Sequence, residues 1–501
     1  MRKMLCGFIM NKKTWQNIAV MLFLTIVTFV FLLESPLHIW KGYNSGTDSS
    51  VFRTIALMIE KGYMPYRDSF DHKGPLLYLI NYFGMRISYC SGVWVFEFVF
   101  MLISLTGIYK ICRLKCNKIF SCISTLVSVS LLYTFFEGGN LTEEYAMPFI
   151  TIALYIFLDY FINEKINGLR LMICGFCFGG VFLLRANMIA VWVVFCLAVA
   201  IQCFRRKQFK EILRYILLFL LGVVIMAAPT MVWLGVNNAI ADFWHDYIYF
   251  NSVYTSAGSG LASLASKWNC FFYFLNNPLV IISVIISIYL AYRKERFLYG
   301  VYTCYLLCTL VFICISGMTL PHYGIILAPA IGFCIASIYS LCKEELPKAS
   351  ILGLLISIYF LSNIVLPNFL PAIGSVVKVY YAKDSEKQVG VVQDICNIIS
   401  ECTCQEDKIS VYGNWDIIYV LSKKEHATRY SYVYPIAQFM PNIMEEYITS
   451  LEKELPPVIV IQKDRKDSVI SDFLDGNGYL LVWSEAEDQT GALVYRYVGN
   501  K

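Results

Sequence analysis

The stretch "PYRDSFDHKGPLLYLI", residues 65–80, sets Tyr66, Arg67, Asp68, Asp71, His72 and Lys73 directly ahead of an apolar run. A lysine beside a glycine offers a point charge where a phosphate can approach the backbone. A helix opening at Pro75 adds a dipole that favours an anion. Asp71 and His72 could hold a divalent metal or position the lysine, and Arg67 adds a second cation. A surface ion pair between Asp71 and Lys73 is the plainer alternative. Upstream, Asp48 of "TDSSVFRTIALMIEKG" is placed either to cap a helix or to take a proton from an acceptor hydroxyl.

Three further groups carry polar chemistry into apolar surroundings. "EGGNLTEEYAMP" brings Glu143 and Glu144 to the start of an apolar run. Carboxylates beside hydrocarbon are costly unless used, although the first turn of a helix also favours acids. Arg185, in "LLRANM", stands between two apolar segments. It needs a carboxylate or a phosphate as partner unless it snorkels to the rim. "GMTLPHYGIILAP" sets His322 and Tyr323 at the mouth of another apolar run. Both can donate to phosphate oxygens, and both also suit an aromatic belt.

The elements that must position these residues are mostly membrane spans. Of the 501 residues, 58% are hydrophobic and 15% charged, with a net charge of +5. Apolar runs of sufficient length to cross ~30 Å of hydrocarbon recur. They fall at roughly 17–33, 92–109, 119–136, 147–162, 171–184, 187–204, 215–234, 278–292, 298–316, 323–342 and 349–366. The fifth is short and glycine-rich ("CGFCFGG") and open to being broken or tilted.

With the N-terminus in the cytoplasm, the inner segments hold 20 Lys/Arg and the outer loops before residue 367 hold eight. The positive-inside bias therefore places the loop 34–90 and everything after 367 outside the cytoplasm. The basic start followed by a 17-residue apolar core without a small-x-small site reads as a retained helix, not a cleaved signal. The net charge reflects this inner-face bias, so no nucleic-acid partner is implied. Most of the 18 cysteines lie within spans, where they act as small apolar residues. Cys396, Cys402 and Cys404 in the tail are an odd number and imply no disulfide framework.

The expected fold is therefore a polytopic α-helical membrane protein of about 11 spans, residues 1–366, with a C-terminal extracytoplasmic α/β domain, 367–501. The loop 34–90 carries two interfacial helices, one starting near Asp48 and stopping at Gly62, the other starting at Pro75. In the tail, "KISVYG", "ATRYSYVYP" and "PPVIVIQ" read as strands. "NWDIIYVLSKK" and "NIMEEYITSLEKEL" read as helices, and "YLLVW" and "ALVYRYV" form a strand pair. No GxGxxG and no Asp-x-Asp occurs there, so nothing is built to hold a nucleotide. All the polar groups above surface on one side of this topology.

An Asp near the start of the first outer loop, a surface helix and then "PYRDSFDHKGPLLYLI" resembles the polyprenyl-phosphate-sugar glycosyltransferases of the GT-C superfamily. The pattern is similar to that of bacterial protein O-mannosyltransferases and aminoarabinose transferases. "PHYGIILAP" resembles the family's late-helix motif, and "ISVYGNWDIIYVLSKKEHATRYSYV" resembles the tail of many bacterial members.

The resemblance implies a multi-pass protein of the cell membrane, with jaw helices over a cavity for a lipid-linked sugar. It implies Asp48 as the base or acceptor-orienting residue, Lys73 on the donor phosphate, a second-loop acid at Glu143 or Glu144, and His322 near the phosphate. Where relatives read Glu-Lys-Pro, this chain reads His72-Lys73-Gly74-Pro75, so a divalent metal stays an open expectation and no other cofactor is implied. The donor would be a polyprenyl-phosphate-linked sugar within membrane lipid. The acceptor would be a hydroxyl on a glycan, lipid or protein. A transporter, flippase or non-catalytic binder of lipid-linked sugars is the competing reading.

Overall fold

The computed structural model describes residues 12–38, 47–164, 166–256, 261–345, 386–440, 442–485 and 491–499. Helices occupy every expected span up to residue 342: α1 Lys12–Phe31, α4 Gly92–Cys112, α5 Lys118–Phe135, α6 Thr142–Asn163, α7 Gly168–Phe182, α8 Ala190–Arg205, α9 Phe209–Val236, α13 Pro278–Arg293, α14 Arg296–Ile313 and α15 Ala328–Glu345. The expected span 349–366, and with it the 366/367 domain boundary, lies outside the described residues. By length and apolarity, seven helices among the described residues can cross a membrane unaided. α7 and α8 are shorter, and α13 is bent by 84° from α12, Leu261–Leu275.

α7 is unbroken, contrary to one reading of its glycines. Its Gly175 and the facing Gly222 of α9 let the two backbones close together. A Cβ on Gly175 would lie 1.9 Å from the Phe219 carbonyl oxygen, and one on Gly222 would lie 2.0 Å from that of Met172. Small residues at such a crossing are how helices associate in lipid, where burial of apolar surface supplies little drive. Most of α9 remains exposed on its other faces, as a lipid-facing helix should be. α6 lies at the opposite extreme, buried along nearly its whole length. Cys174 and Cys177 are buried in α7 as free thiols, and Cys396, Cys402 and Cys404 are free as well.

The first loop forms the two expected helices, α2 Thr47–Glu60 and α3 Pro75–Ile87. α2 opens at Thr47, so Asp48 stands inside the first turn and not ahead of it as a cap. After α9 the chain does not run directly to the next span. It forms α10 Ile240–Phe243, a π-helical turn Trp244–Tyr249, and α11 Phe250–Ser256. π-turns are rare, and they concentrate at functional sites.

The C-terminal unit holds α16 Glu386–Cys402, β1 Ser410–Tyr412, α17 Ile417–Ser422, α18 Tyr434–Ala437, α19 Asn442–Glu454, β2 Val458–Gln462, α20 Ser468–Gly476, β3 Tyr479–Ser484 and β4 Ala492–Tyr497. Its sheet order is β1-β2-β4-β3, with β1 parallel to β2 and the other pairs antiparallel. "ATRYSYVYP" is not a strand. Its alternation of aromatic and polar residues meets the first loop instead of a sheet. The Phe70 N–H donates to the Arg429 carbonyl (2.8 Å), and Tyr432 Oη donates to Asp71 (2.8 Å).

Candidate functional site

The turn 65–74 is held from both sides. Tyr66 has φ +70° and is fully buried, a strained backbone that persists only where its surroundings fix it. Its hydroxyl donates to the Lys73 carbonyl (2.8 Å), as does that of Tyr78 (3.0 Å). Gly74 N–H donates to the Leu184 carbonyl (2.9 Å). A Cβ on Gly74 would fall 2.0 Å from the Leu183 carbonyl oxygen. The glycine between Lys73 and Pro75 is thus what lets this turn lie against the segment carrying Arg185.

Asp71 and Lys73 do not pair. Asp71 is buried and accepts from Tyr78 Oη on Oδ2 and from Tyr432 Oη on Oδ1, both at 2.8 Å. Burial raises its pKa above the usual carboxylate range against the pull of Lys73 and the two phenols. Lys73 Nζ lies 2.8 Å from His72 Nε2. Burial, then Lys73 and Arg185, hold the His72 pKa well below that of free imidazole, so His72 is neutral and accepts from the lysine through Nε2. Its Nδ1 is 3.4 Å from Asp71 Oδ1. Two phenols and an ammonium therefore already engage the pair that the sequence offers to a metal. Among the described residues, no three His, Cys, Asp or Glu converge in a metal-binding arrangement.

The second loop separates its adjacent acids. Glu143 accepts from Arg185 and from Thr142 Oγ1 (2.8 Å). Arg185 also lies over the Tyr323 ring, 4.0 Å from its centroid. Glu144 turns the other way. Its Oε2 and Glu97 Oε1 both accept from the Asn140 N–H, at 3.0 and 2.7 Å. Asn140, the first residue of an N-x-Thr sequon, is buried. It exchanges amide hydrogen bonds with Asn81 and donates to Ser49 Oγ (2.8 Å), the neighbour of Asp48. Asn140 thus fixes the start of α2, a positioning role that the sequon pattern concealed.

These elements converge on two adjoining cavities. The first, about 360 Å³, is lined by Asp48, His72, Lys73, Arg185, His322 and Tyr323 together with Asn187, Tyr247, Asn251 and Tyr254. The second, about 180 Å³, shares Asp48, His72, Lys73, Tyr254 and Met318 and adds, among others, Asp71, Phe250, Asn414, Tyr432, Gln438 and Phe439. Asp48 is exposed and, among the described residues, forms no hydrogen bond or ion pair. His322 Nδ1 lies 2.6 Å from Glu137 Oε2. Arg67 is not at either cavity: it pairs with Asp68 (2.7 Å) and donates to the Asn237 carbonyl (2.8 Å). Glu143 reaches the first cavity only through Arg185, and Glu144 faces neither.

Several lining residues escaped the reading of the sequence. Asn251 donates to the His72 carbonyl (2.7 Å) and, with Tyr247 and Tyr254, comes from the helical segment after α9. Asn187 stood two residues beyond Arg185 in a motif already in view, and its buried Oδ1 has no partner. The four from the C-terminal unit carried no local signal at all.

The fold is similar to that of ArnT from Cupriavidus metallidurans bound to undecaprenyl phosphate. The two share a TM-score of 0.60 and 15% identity over 97% of this chain and 99% of that one. The apo state of ArnT gives 0.58 and 14% over 96% and 98%. The archaeal oligosaccharyltransferase AglB from Archaeoglobus fulgidus, in complex with an inhibitory peptide and a dolichol-phosphate, gives 0.55 and 12% over 98% of this chain and 75% of that one. These likenesses establish the GT-C fold, with multiple membrane helices and a C-terminal sheet-containing unit. No curated protein matches the chain in sequence. Residues 10–367, most of the chain, match one family directly, and the protein belongs to the family described as "Putative competence-induced protein Ccs4 N-terminal domain".

Proposed function

We propose that the protein is an integral-membrane glycosyltransferase. It moves a sugar from a polyprenyl-phosphate donor to a hydroxyl acceptor at the outer face of the cytoplasmic membrane. The observation that carries this reading is the carboxylate of Asp48, which has no partner among the described residues and lines both a cavity ringed by Lys73, Arg185 and His322 and a second cavity lined by no described arginine. Cations on one side suit a departing phosphate. A carboxylate beside them is placed to take a proton from an acceptor hydroxyl. The undecaprenyl phosphate and dolichol-phosphate bound to the two similar structures support a lipid phosphate as the donor's leaving group.

In the mechanism, the acceptor O–H gives its proton to Asp48 as its oxygen attacks the anomeric carbon. The bond from that carbon to the phosphate oxygen breaks, and polyprenyl phosphate leaves with the electron pair. Lys73 and Arg185 balance the charge that gathers on the phosphate, and His322 donates to one of its oxygens. Single displacement inverts the anomeric configuration. No step requires a metal.

Arg185 is held for this task by Glu143 and by the Tyr323 ring. His72 keeps the Lys73 ammonium at the boundary between the cavities without adding charge of its own. The test is transfer by purified protein from a panel of undecaprenyl-phosphate sugars to total membrane glycolipid. Transfer that disappears in Asp48→Asn and falls in Lys73→Ala supports the reading. Equal transfer by the wild type and Asp48→Asn contradicts it. Donor binding without transfer by any protein, wild type included, favours a binder or transporter.

A further inference from the structure

We infer that the smaller cavity is the acceptor subsite, that the C-terminal unit builds it, and that it takes a sugar ring. The inference rests on the proposed transfer reaction and names its acceptor class. The cavity shares Asp48 with its neighbour but is lined by neither Arg185 nor His322, so a hydroxyl placed there meets the carboxylate apart from those two cations.

Its lining lacks the Arg185 and His322 of its neighbour, with which it shares Tyr254. Phe250, Tyr254 and Phe439 supply aromatic rings, with Tyr254 and Phe439 edge to face at 4.7 Å between centroids. Asn414 and Gln438 supply side-chain amides, each able to donate and to accept. The Asn414 side chain forms no hydrogen bond among the described residues. Apolar ring faces beside amides that both give and receive hydrogen bonds match the surface of a pyranose, with C–H groups on one side and hydroxyls around the edge.

Size and lining favour a small acceptor. At about 180 Å³ the cavity lies below the ~300–1,000 Å³ of most ligand pockets, which leaves room for a single ring. No sheet strand lines it, so an extended peptide finds no backbone ladder there. Its described walls come from the first loop, α11, the C-terminal unit and Met318, none of them a membrane-spanning helix.

The position is fixed by contacts between the first loop and the tail. Tyr432, which lines the cavity, donates to Asp71 one residue before His72. Arg429 donates to the Tyr66 carbonyl (2.8 Å) and pairs with Asp246. Ser69 Oγ lies 3.0 Å from His426 Nε2. The tail is therefore part of the site's wall and sets which hydroxyl is offered to Asp48.

The experiment is saturation-transfer NMR on the full-length protein in detergent. The probes are methyl glucoside, methyl N-acetylglucosaminide and N-acetylserine methylamide, and undecaprenyl phosphate binding is measured in parallel. The expected result is a signal from at least one glycoside, reduced at least fivefold by Asn414→Ala, by Phe439→Ala and by the better-tolerated Phe439→Leu. Undecaprenyl phosphate binding should stay within twofold in those variants and weaken in Lys73→Ala. A glycoside signal that Phe439→Leu and Asn414→Ala leave intact would overturn the inference, as would a signal from the serine amide alone. Failure of the wild type to bind undecaprenyl phosphate would instead overturn the donor reading on which it rests.

Discussion

The two cavities share Asp48, His72, Lys73, Tyr254 and Met318 and differ in the rest of their linings. One ends in Arg185, His322 and Tyr323, all supplied by segments that join membrane helices. The other ends in Asn414, Tyr432 and Phe439, all supplied by the C-terminal unit. Where charge must be balanced the chain uses residues anchored in the helix bundle. Where a neutral partner must be recognised, it uses a separate unit clamped over the first loop. A membrane bundle can fix an arginine at low dielectric by giving it Glu143, an arrangement that is costly to alter. A soluble unit can vary its amides and rings at little cost to the bundle. Under the proposed function, leaving-group stabilisation falls to one region and acceptor recognition to the other.

The largest expected effect is that of Asp48→Asn, which removes the one group common to both jobs. Turnover should fall by ~10³-fold with no change in thermal melting, because Asp48 has no partner to lose among the described residues; initial rates and melting curves check this. Next is Lys73→Ala, expected to cost ~10²-fold in turnover. It should also weaken undecaprenyl phosphate binding at least tenfold, and glycoside binding in the second cavity, which Lys73 also lines, by a smaller factor. Equal loss on both sides would erase the division between the cavities.

Gly74→Ala acts through packing. The added methyl meets the Leu183 carbonyl at 2.0 Å, so backbone must move. A loss of ~2 kcal/mol or more in stability is expected, with the donor side impaired more than the acceptor side because the displaced turn carries Lys73 against the segment of Arg185.

The Asp416→Asn prediction concerns the clamp between tail and first loop. Asp416 is fully buried, and neither carboxylate oxygen finds a partner among the described residues. Burial, with the nearby Asp71 adding to it, raises its pKa to about 7. A folded pKa above the unfolded value means that folding favours the protonated form. That contribution is whole below pH ~4 and is lost as pH rises through 7. Between pH 5 and pH 8 the wild type should therefore lose stability relative to Asp416→Asn by ~2–4 kcal/mol. Melting of both proteins across that range is the check, and parallel curves would contradict it.

The smallest effect belongs to Arg67→Ala. Arg67 is exposed and occupied by Asp68 and Asn237, so transfer should change less than twofold. A larger loss would draw the boundary of the cationic cavity more widely than the geometry does.

What the sequence disclosed follows from the range of the interactions involved. Spans and the two loop helices were legible because hydropathy and helix-start residues act locally. Asp48, Lys73, Arg185 and His322 could be collected because loop charge placed them at one end of the bundle, and the structure gathers them around one cavity. The choice between Glu143 and Glu144 was not legible. Adjacent residues on a helix point ~100° apart, and only the positions of Arg185 and Glu97 decide which faces the site. "ATRYSYVYP" imitated a strand because its alternate residues do face a surface, the first loop, that is distant in sequence. Asn414 and Phe439 were invisible for the same reason, since nothing local distinguishes a residue that lines a cavity from one that faces water. Arg67 shows the converse: a cation in the right motif, turned aside by its neighbour Asp68.

The most direct measurement pairs two readings on purified Asp48→Asn: undecaprenyl phosphate binding and sugar transfer from an undecaprenyl-phosphate donor that the wild type uses. The account predicts binding within twofold of the wild type and transfer reduced by ~10³-fold. Transfer within a few-fold of the wild type, with binding unchanged, would contradict Asp48 as the base and remove the reason for placing donor and acceptor on its two sides.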